Sequence, residues 1–336
     1  MGDVLMTVPV IDSFARQHPD VRVTVVSRAW AKPVFDLLPE NVHFVAADLR
    51  GTHAGYKGLN LLARRLFALQ PTHVADLHDV LRTKWLRLRL HAAGIRVAHI
   101  RKDRHARRDF LAAEEPVPQK TSFEKYADVF RRLGFDDWAL DFRNLYPHGI
   151  PELSEALPHF DIARRPEPYW IAVAPFSSHS EKTYPPELME QVVRQLDARG
   201  DTRIFLFGAG KEELPLLQSW AERYPHVECA KESLHHIGEE LPLIAHCHAM
   251  LSMDSGNMHL ASLVGVPVVS IWGATHPYAG FYGYGQDFSD AVQRDDLPCR
   301  PCSIYGNKPC QYEDCRCLTG ITPEQVVKKV IEKSLQ

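Results

Sequence analysis

Three stretches of this chain carry the residue types that hold a diphosphate. The first is Asp254-Ser255-Gly256-Asn257, a polar turn between an apolar run ending at Met253 and a short apolar helix from Met258 to Val264. A carboxylate, a hydroxyl and several backbone N–H groups meet there at a helix N-terminus, which attracts phosphate through unpaired amides and the helix dipole. The second is Pro175 to Pro185, where hydroxyls at Ser177 and Ser178 precede Lys182. Hydroxyls, backbone amides and one ammonium suit a diphosphate; the plainer reading is a polar turn with a solvated lysine. The third is Phe207-Gly208-Ala209-Gly210-Lys211-Glu212-Glu213, a G-x-G turn after an apolar run. Glu213 stands where a third glycine would complete the dinucleotide fingerprint, so a dehydrogenase is disfavoured. Glu212 or Glu213 can reach a ribose there, or simply support the helix dipole as a first-turn acid.

Asp3 stands apart from these groups, at the start of an apolar-rich helical pattern that runs to Phe14. It reads either as a helix cap, worth about 1 kcal/mol, or as a carboxylate placed to act as a general base. Residues 82–108 hold ten Lys or Arg against the single acid Asp103, including Arg101, Lys102 and Arg104. That is either a solvated helix face with a disordered loop or a local field that concentrates an anionic partner. Trp85 is the only aromatic among them, which leans away from single-stranded nucleic acid.

Five of the seven cysteines fall between Cys299 and Cys317, spaced Cys299-x2-Cys302-x7-Cys310-x4-Cys315-x-Cys317. One C-x2-C admits a structural zinc at Cys299, Cys302, Cys310 and Cys315. The second half lacks the matching pair spacing, so free thiols in an irregular loop are the expectation and no metal ligand is assigned.

The positioning elements alternate. Strands are predicted over 21–27, 42–47, 72–78, 95–100, 170–176, 203–208, 226–230 and 249–253, with a β-branched run after Pro267. Helices fall between them, at 57–69, 81–94, 123–134, 185–200 and 212–223 among others. Such alternation implies parallel sheets covered on both faces. Residues 147–168 carry five prolines and little periodicity, and read as the inter-domain crossing. A capping box at Thr322 and Gln325, with Pro323 between, opens a last helix to about residue 334.

With 336 residues, 45% hydrophobic and 24% charged, the chain is long enough for two cores. Its formal net charge of −3 makes no global demand for nucleic acid. No apolar run is long enough for a membrane-spanning helix. No basic segment leads into an apolar stretch as in a secretion signal. The odd number of cysteines argues against a paired, secreted framework, and the cytoplasm is the expected compartment.

MGDVLMTVPVI at the start, the PFSSHSEKTYP segment, SMDSGNMHLASLVGVPVVSIWGATHP and the later YGYG resemble the family 9 glycosyltransferases. These are the bacterial ADP-heptose:lipopolysaccharide heptosyltransferases and their relatives. The resemblance covers nearly the whole chain, and its most specific block, D-[ST]-G-x-x-H-x-A, stands intact from Asp254 to Ala261. It implies an α/β GT-B fold, with two Rossmann-like domains facing a cleft. Residues 1–155 would bind the acceptor and 156–320 the nucleotide sugar, and a helix at 321–336 would pack back on the N-terminal domain.

Position by position, the resemblance makes Asp3 the base and Lys182 the contact to the donor phosphates, with Ser177 and Ser178 as hydroxyl partners. It places Glu212 or Glu213 at the ribose. Asp254, Ser255, Gly256, Asn257 and His259 form the sugar- and diphosphate-facing block. The basic zone, through Arg101, Lys102 and Arg104, would then meet an anionic glycolipid acceptor. The reaction would be inverting transfer of a heptose from an ADP-sugar to the lipopolysaccharide core, with no cofactor required. It would take place in the cytoplasm, at peripheral contact with the inner membrane, and without nucleic acid.

Alternatives are a GT-B transferase with another donor or glycan acceptor, an epimerase or hydrolase of nucleotide sugars, and a non-catalytic nucleotide-sugar binding protein. One departure is marked. In the family an apolar strand precedes the MGD turn, and here that first N-terminal strand is missing. The expectation is a gap in the first sheet and a Met1 internal to a longer reading frame.

Overall fold

The computed structural model describes residues 1–160 and 168–335. Positions 161–167, part of the expected proline-rich crossing, lie outside the described residues. The chain forms two compact units, one of Asp3–Asp103 with Lys120–Phe142, the other of Arg104–Gln119 with Arg143–Gln336. The sequence-based boundary at 155 thus falls inside the second unit.

In the first unit, β1 (Val23–Ser27) pairs in parallel with β2 (Val42–Ala46), with Val23 opposite Val42. β3 (His73–Asp76) pairs in parallel with β4 (Arg96–His99), with His73 opposite Arg96. Among the described residues the two pairs are separate ladders. Neither β1 nor β3 contains a run of fully buried residues, and Val26 is 38% exposed. Much of the packing comes from helices instead. Val8–Gln17 turns Val8, Val10, Ile11 and Phe14 inward, and Phe14 meets Phe130 of the Ser122–Arg132 helix at 4.6 Å between ring centroids. That second helix is started by a reciprocal cap, in which Thr121 accepts from the Glu124 amide and Glu124 accepts from the Thr121 amide.

The second unit is built on one six-stranded, all-parallel sheet of β5 (Tyr169–Ala174), β6 (Thr202–Leu206), β7 (Val227–Cys229), β8 (Ala249–Met253), β9 (Val268–Ile271) and β10 (Ala291–Val292). Their spatial order is β10-β9-β8-β5-β6-β7. Every residue of β6, β8 and β9 is buried, as near-continuous apolar runs require of strands covered on both faces. The winding leaves β5 in one direction through β6 and β7, and in the other through β8, β9 and β10. The order therefore reverses between β5 and β8, the place where open α/β sheets bind ligands beyond their carboxyl ends.

The last helix, Pro323–Ser334, forms as its capping box predicts, and its Val326 and Val330 are buried in the core of the second unit. Its entry is held by the Tyr184 hydroxyl, which donates to the Ile321 carbonyl at 2.7 Å. The apolar face of the helix therefore closes over the continuous sheet. The basic loop after residue 100 is also partly a helix, Arg104–Ala112, whose Phe110 is buried against Ala279 and Ile304 of the second unit.

Candidate active site

The topological switch point brings together two of the three stretches singled out above. Beyond β5 the chain reaches Ser177, whose hydroxyl donates to the Asp254 carbonyl beyond β8 at 3.2 Å. A short 3-10 turn, Ser180–Lys182, then delivers the Lys182 ammonium to Asp254, 3.3 Å from Oδ2. The same oxygen accepts from the Thr275 hydroxyl at 2.9 Å. Asp254 is only 8% exposed, so two donors on one carboxylate oxygen satisfy a charge that would be costly to bury alone. The lysine stem rests on Gly306, where an added Cβ would come within 2.3 Å of its Cγ. Gly306 has φ +69, a left-handed conformation that glycine adopts without strain, so both backbone shape and space require it.

Ser255 stands at the N-cap of the Gly256–Leu263 helix, but its side chain makes no capping bond. Its hydroxyl instead sits 3.1 Å from that of Ser252. The first amides of this helix are therefore not taken by its cap residue, the condition under which they can hold an anion. Gly256 and Asn257 are half-buried at that end. His259, one turn on, is 5% exposed. Burial, reinforced by the Lys182 ammonium, pushes its pKa down to about 3. It is a neutral imidazole at pH 7, able to donate or accept a hydrogen bond without adding charge.

The remaining sequence-based candidates separate. Glu213 Oε2 accepts from the amides of Ala209 at 3.1 Å and Gly210 at 2.8 Å, closing its own turn. Its carboxylate is thus engaged within its own turn, whereas Glu212 is exposed. Ser178 is exposed. Asp3 is exposed in the first turn of the Gly2–Leu5 helix of the first unit, where the Tyr126 hydroxyl bonds its backbone carbonyl at 3.4 Å. His78, beyond β3, is close enough to feel that carboxylate. Burial lowers the His78 pKa, and Asp3 opposes the shift.

The basic zone is less uniform than its count suggests. Arg87 is paired with Asp76 at 3.0 Å and Asp79 at 3.2 Å, acids that precede the counted segment. Arg96 donates to the Leu133 carbonyl. Lys102 donates to the Asp79 carbonyl at 3.3 Å, within the first unit, whereas Arg104 belongs to the helix docked on the second. Arg101 lines a surface pocket of about 340 Å³ with Lys125, Asp128, Arg131, Arg132 and Asp136. That pocket contains none of the residues around Asp254, and the excess of cations on its wall suits an anion.

Sequence reasoning missed Thr275, Gly306 and Arg300. Thr275 lay within the resembling segment, yet nothing in its spacing indicated that its hydroxyl would hold Asp254. Arg300 is 8% exposed and donates to the carbonyls of Gly273 at 2.6 Å, Thr275 at 3.0 Å and Arg294 at 2.7 Å. It fixes the backbone that presents Thr275. His276 follows, its pKa pushed down to about 4 by burial and then by Arg300.

Known proteins resemble this chain in family and fold. The family model for glycosyltransferase family 9 (heptosyltransferase) matches residues 60–308, well over half the chain. Lipopolysaccharide heptosyltransferase 3 of Escherichia coli is 24% identical over 285 residues, covering 82% of this chain and 81% of that protein. A family 9 glycosyl transferase from Veillonella parvula superposes with a TM-score of 0.72 at 21% identity, covering 100% of this chain and 94% of that one. The E. coli ADP-heptose LPS heptosyltransferase II superposes with a TM-score of 0.68 at 16% identity, covering 100% and 96%.

Proposed function

The chain belongs to glycosyltransferase family 9 and has the GT-B fold, and on that premise we propose that it moves a heptose from ADP-heptose to a lipopolysaccharide-core acceptor. The observation that carries the donor half is the Lys182–Asp254–Thr275 constellation at the switch point, beside a helix N-terminus whose cap residue leaves its amides alone. A similar solved structure bears ADP-heptose in its name, and a similar curated protein is a lipopolysaccharide heptosyltransferase.

In this reading the acceptor hydroxyl attacks the anomeric carbon from the face opposite the diphosphate, and its proton passes to the Asp3 carboxylate. The bond from the anomeric carbon to the phosphate oxygen breaks, and ADP leaves with inversion. Negative charge then grows on the diphosphate, where Lys182 and the amides of residues 255–257 meet it. Preorganised donors of this kind are worth most because they need no rearrangement as charge develops. Asp254 holds Lys182 in place before the donor arrives. Neutral His259 supplies a hydrogen bond toward the sugar or diphosphate without competing for the lysine's role. Glu212 takes the ribose, while Ser177 and Ser178 line the phosphate side. No metal is required for this sequence of steps.

Arg101, Lys102 and Arg104 are assigned to the phosphates or acidic sugars of the acceptor. No helix among the described residues is long and apolar enough to cross a membrane. Meeting a glycolipid therefore implies peripheral contact with the inner face of the cytoplasmic membrane. The test is product analysis by mass spectrometry with ADP-, GDP- and UDP-sugars, with and without a lipopolysaccharide-core acceptor. Acceptor-dependent release of ADP and a heptose mass increment are expected. Thermal stabilisation by an ADP-sugar with no turnover in any combination would overturn the transferase reading in favour of a binding protein.

A further inference from the structure

Two neighbouring helices of the first unit leave much of their apolar surface in solvent. Gly55–Phe67 buries only Gly58, Leu62 and Ala63, and Leu81–Ala92 buries only Leu90. On the second of these, Leu81, Lys84, Trp85 and Leu88 recur at helical spacing and so share one face. Leu81 is 85% exposed and Leu88 61%. On the first, Lys57, Leu61, Arg64 and Arg65 share a face in the same way, and all four are exposed. Tyr56, 72% exposed, joins the helices: its ring meets that of Trp85 edge-on, with centroids 5.6 Å apart. A single exposed leucine is ordinary on a protein surface. Tyr56, Leu61, Leu81 and Leu88 grouped on two touching helices mark a contact site.

The charge on this surface has one sign. The two helices carry Lys57, Arg64, Arg65, Arg82, Lys84, Arg87 and Arg89, and no Asp or Glu. Three of these cations are engaged within the unit. Arg87 pairs with Asp76 and Asp79, Lys84 lies 3.9 Å from Asp79, and Arg65 donates to the Ala46 carbonyl at 3.3 Å. Lys57, Arg64, Arg82 and Arg89 are exposed, and neither helix offers an acid to offset them.

An occupant of this face must therefore supply both negative charge and hydrocarbon. A second copy of the chain, docked face to face, would set like charges against one another. A nucleic acid would meet the cations but leave the leucines in water, and Tyr56 and Trp85 pack on each other rather than standing apart as stacking platforms. An anionic bilayer offers phosphate at its surface and acyl chain just beneath, which is the order in which interfacial helices present Lys or Arg and Leu, Tyr or Trp.

We propose that the exposed faces of Gly55–Phe67 and Leu81–Ala92 are the surface by which this protein lies on an anionic lipid bilayer. Tyr56, Leu61, Leu81 and Leu88 enter the boundary between headgroups and acyl chains, while Lys57, Arg64, Arg82 and Arg89 meet the lipid phosphates. The docking rests for its purpose on the glycolipid-acceptor reading, since it holds the first unit in the plane where such an acceptor is embedded. The basic zone then divides, with Arg82 and Arg89 serving bulk lipid and Arg101, Lys102 and Arg104 left to the acceptor.

The test reads lipid binding rather than turnover. The protein is sedimented with vesicles of equal parts phosphatidylglycerol and phosphatidylcholine, and with vesicles of phosphatidylcholine alone. Binding to the mixed vesicles should be about tenfold tighter or more, and should weaken as salt rises. Leu81→Ser combined with Leu88→Ser should weaken it by about tenfold. Arg82→Glu combined with Arg89→Glu should remove the preference for the anionic vesicles. All four positions are exposed, so these variants should keep the wild-type melting temperature. Lys32→Glu combined with Lys328→Glu makes the same change in net charge on other helices, and should leave binding within about twofold. Failure to sediment with either vesicle would overturn the proposal. So would equal losses in the arginine and lysine pairs, or binding to single-stranded DNA that matches the vesicles and ignores the leucine change. Turnover is assayed separately on a detergent-dispersed acceptor. Its absence would count against the transferase reading, whereas the vesicle result decides the docking face.

Discussion

The two units solve the same packing problem differently. The second buries a continuous six-stranded sheet, with every residue of β6, β8 and β9 inaccessible, and it brings Lys182 and Asp254 together where the winding reverses between β5 and β8. The first holds two separate strand pairs with half-exposed residues, and relies on helix contacts such as Phe14 against Phe130. The unit with the continuous sheet carries the groups proposed to meet the diphosphate: Lys182, Asp254 and the Gly256 helix terminus. The unit with the separate strand pairs carries Asp3, exposed on a single helical turn. Electrostatic stabilisation needs fixed partners, whereas a base needs only access to the proton it removes.

The strongest way to break this comparison is at the two charges assigned to chemistry. Asp3→Asn should lower kcat by about 10²–10⁴-fold and leave ADP affinity unchanged in calorimetry. Lys182→Ala should lower kcat by about 10²–10³-fold and also weaken ADP. Equal loss of ADP binding in both variants would erase the division of labour.

Stability offers the next contrast. Leu251, fully buried in β8, should cost about 2–5 kcal/mol when replaced by alanine. Val26→Ala on half-exposed β1 should cost well under about 1 kcal/mol. Urea denaturation of both variants checks this, and comparable losses would mean the first unit is as tightly packed as the second.

The smallest effect concerns pH. His259 and His276 have pKa values of about 3 and 4 in the folded protein, each lowered from 6.5. The unfolded chain therefore binds more protons than the native one below pH 6.5. The stability these neutral imidazoles contribute is complete above that pH and is lost as pH falls toward 4 and then 3. Between pH 6.5 and 5 the loss at His259 should be on the order of 1–2 kcal/mol. His259→Gln should flatten the melting-temperature profile over that range while leaving the first unit's contacts untouched. An unchanged profile would show that His259 titrates normally.

Much of the proposed donor site was legible because its residues are close in sequence and confined to strand–turn–helix segments. Asp254 to Asn257, and Ser177 with Lys182, each lie in one loop beyond a strand whose apolar run announces it. The acceptor side was harder. The basic segment 82–108 looked like one field, yet Arg87 is neutralised by Asp76 and Asp79, and Arg104 leaves for the other unit on a helix anchored by Phe110. Charge counting cannot see partners contributed by a neighbouring strand. Nor can it see that the Glu213 carboxylate folds back onto amides three and four residues away.

What the sequence determined by itself was the alternation of elements, which is written in local periodicity, and the family, which the block from Asp254 to Ala261 carries by resemblance. Only the tertiary structure decided that Thr275 and Lys182 share one oxygen of Asp254, that Gly306 supports the lysine stem, and that His259 is neutral. It also decided that the last helix completes the second core. Those outcomes depend on burial and on contacts between residues dozens of positions apart, and a linear pattern records neither.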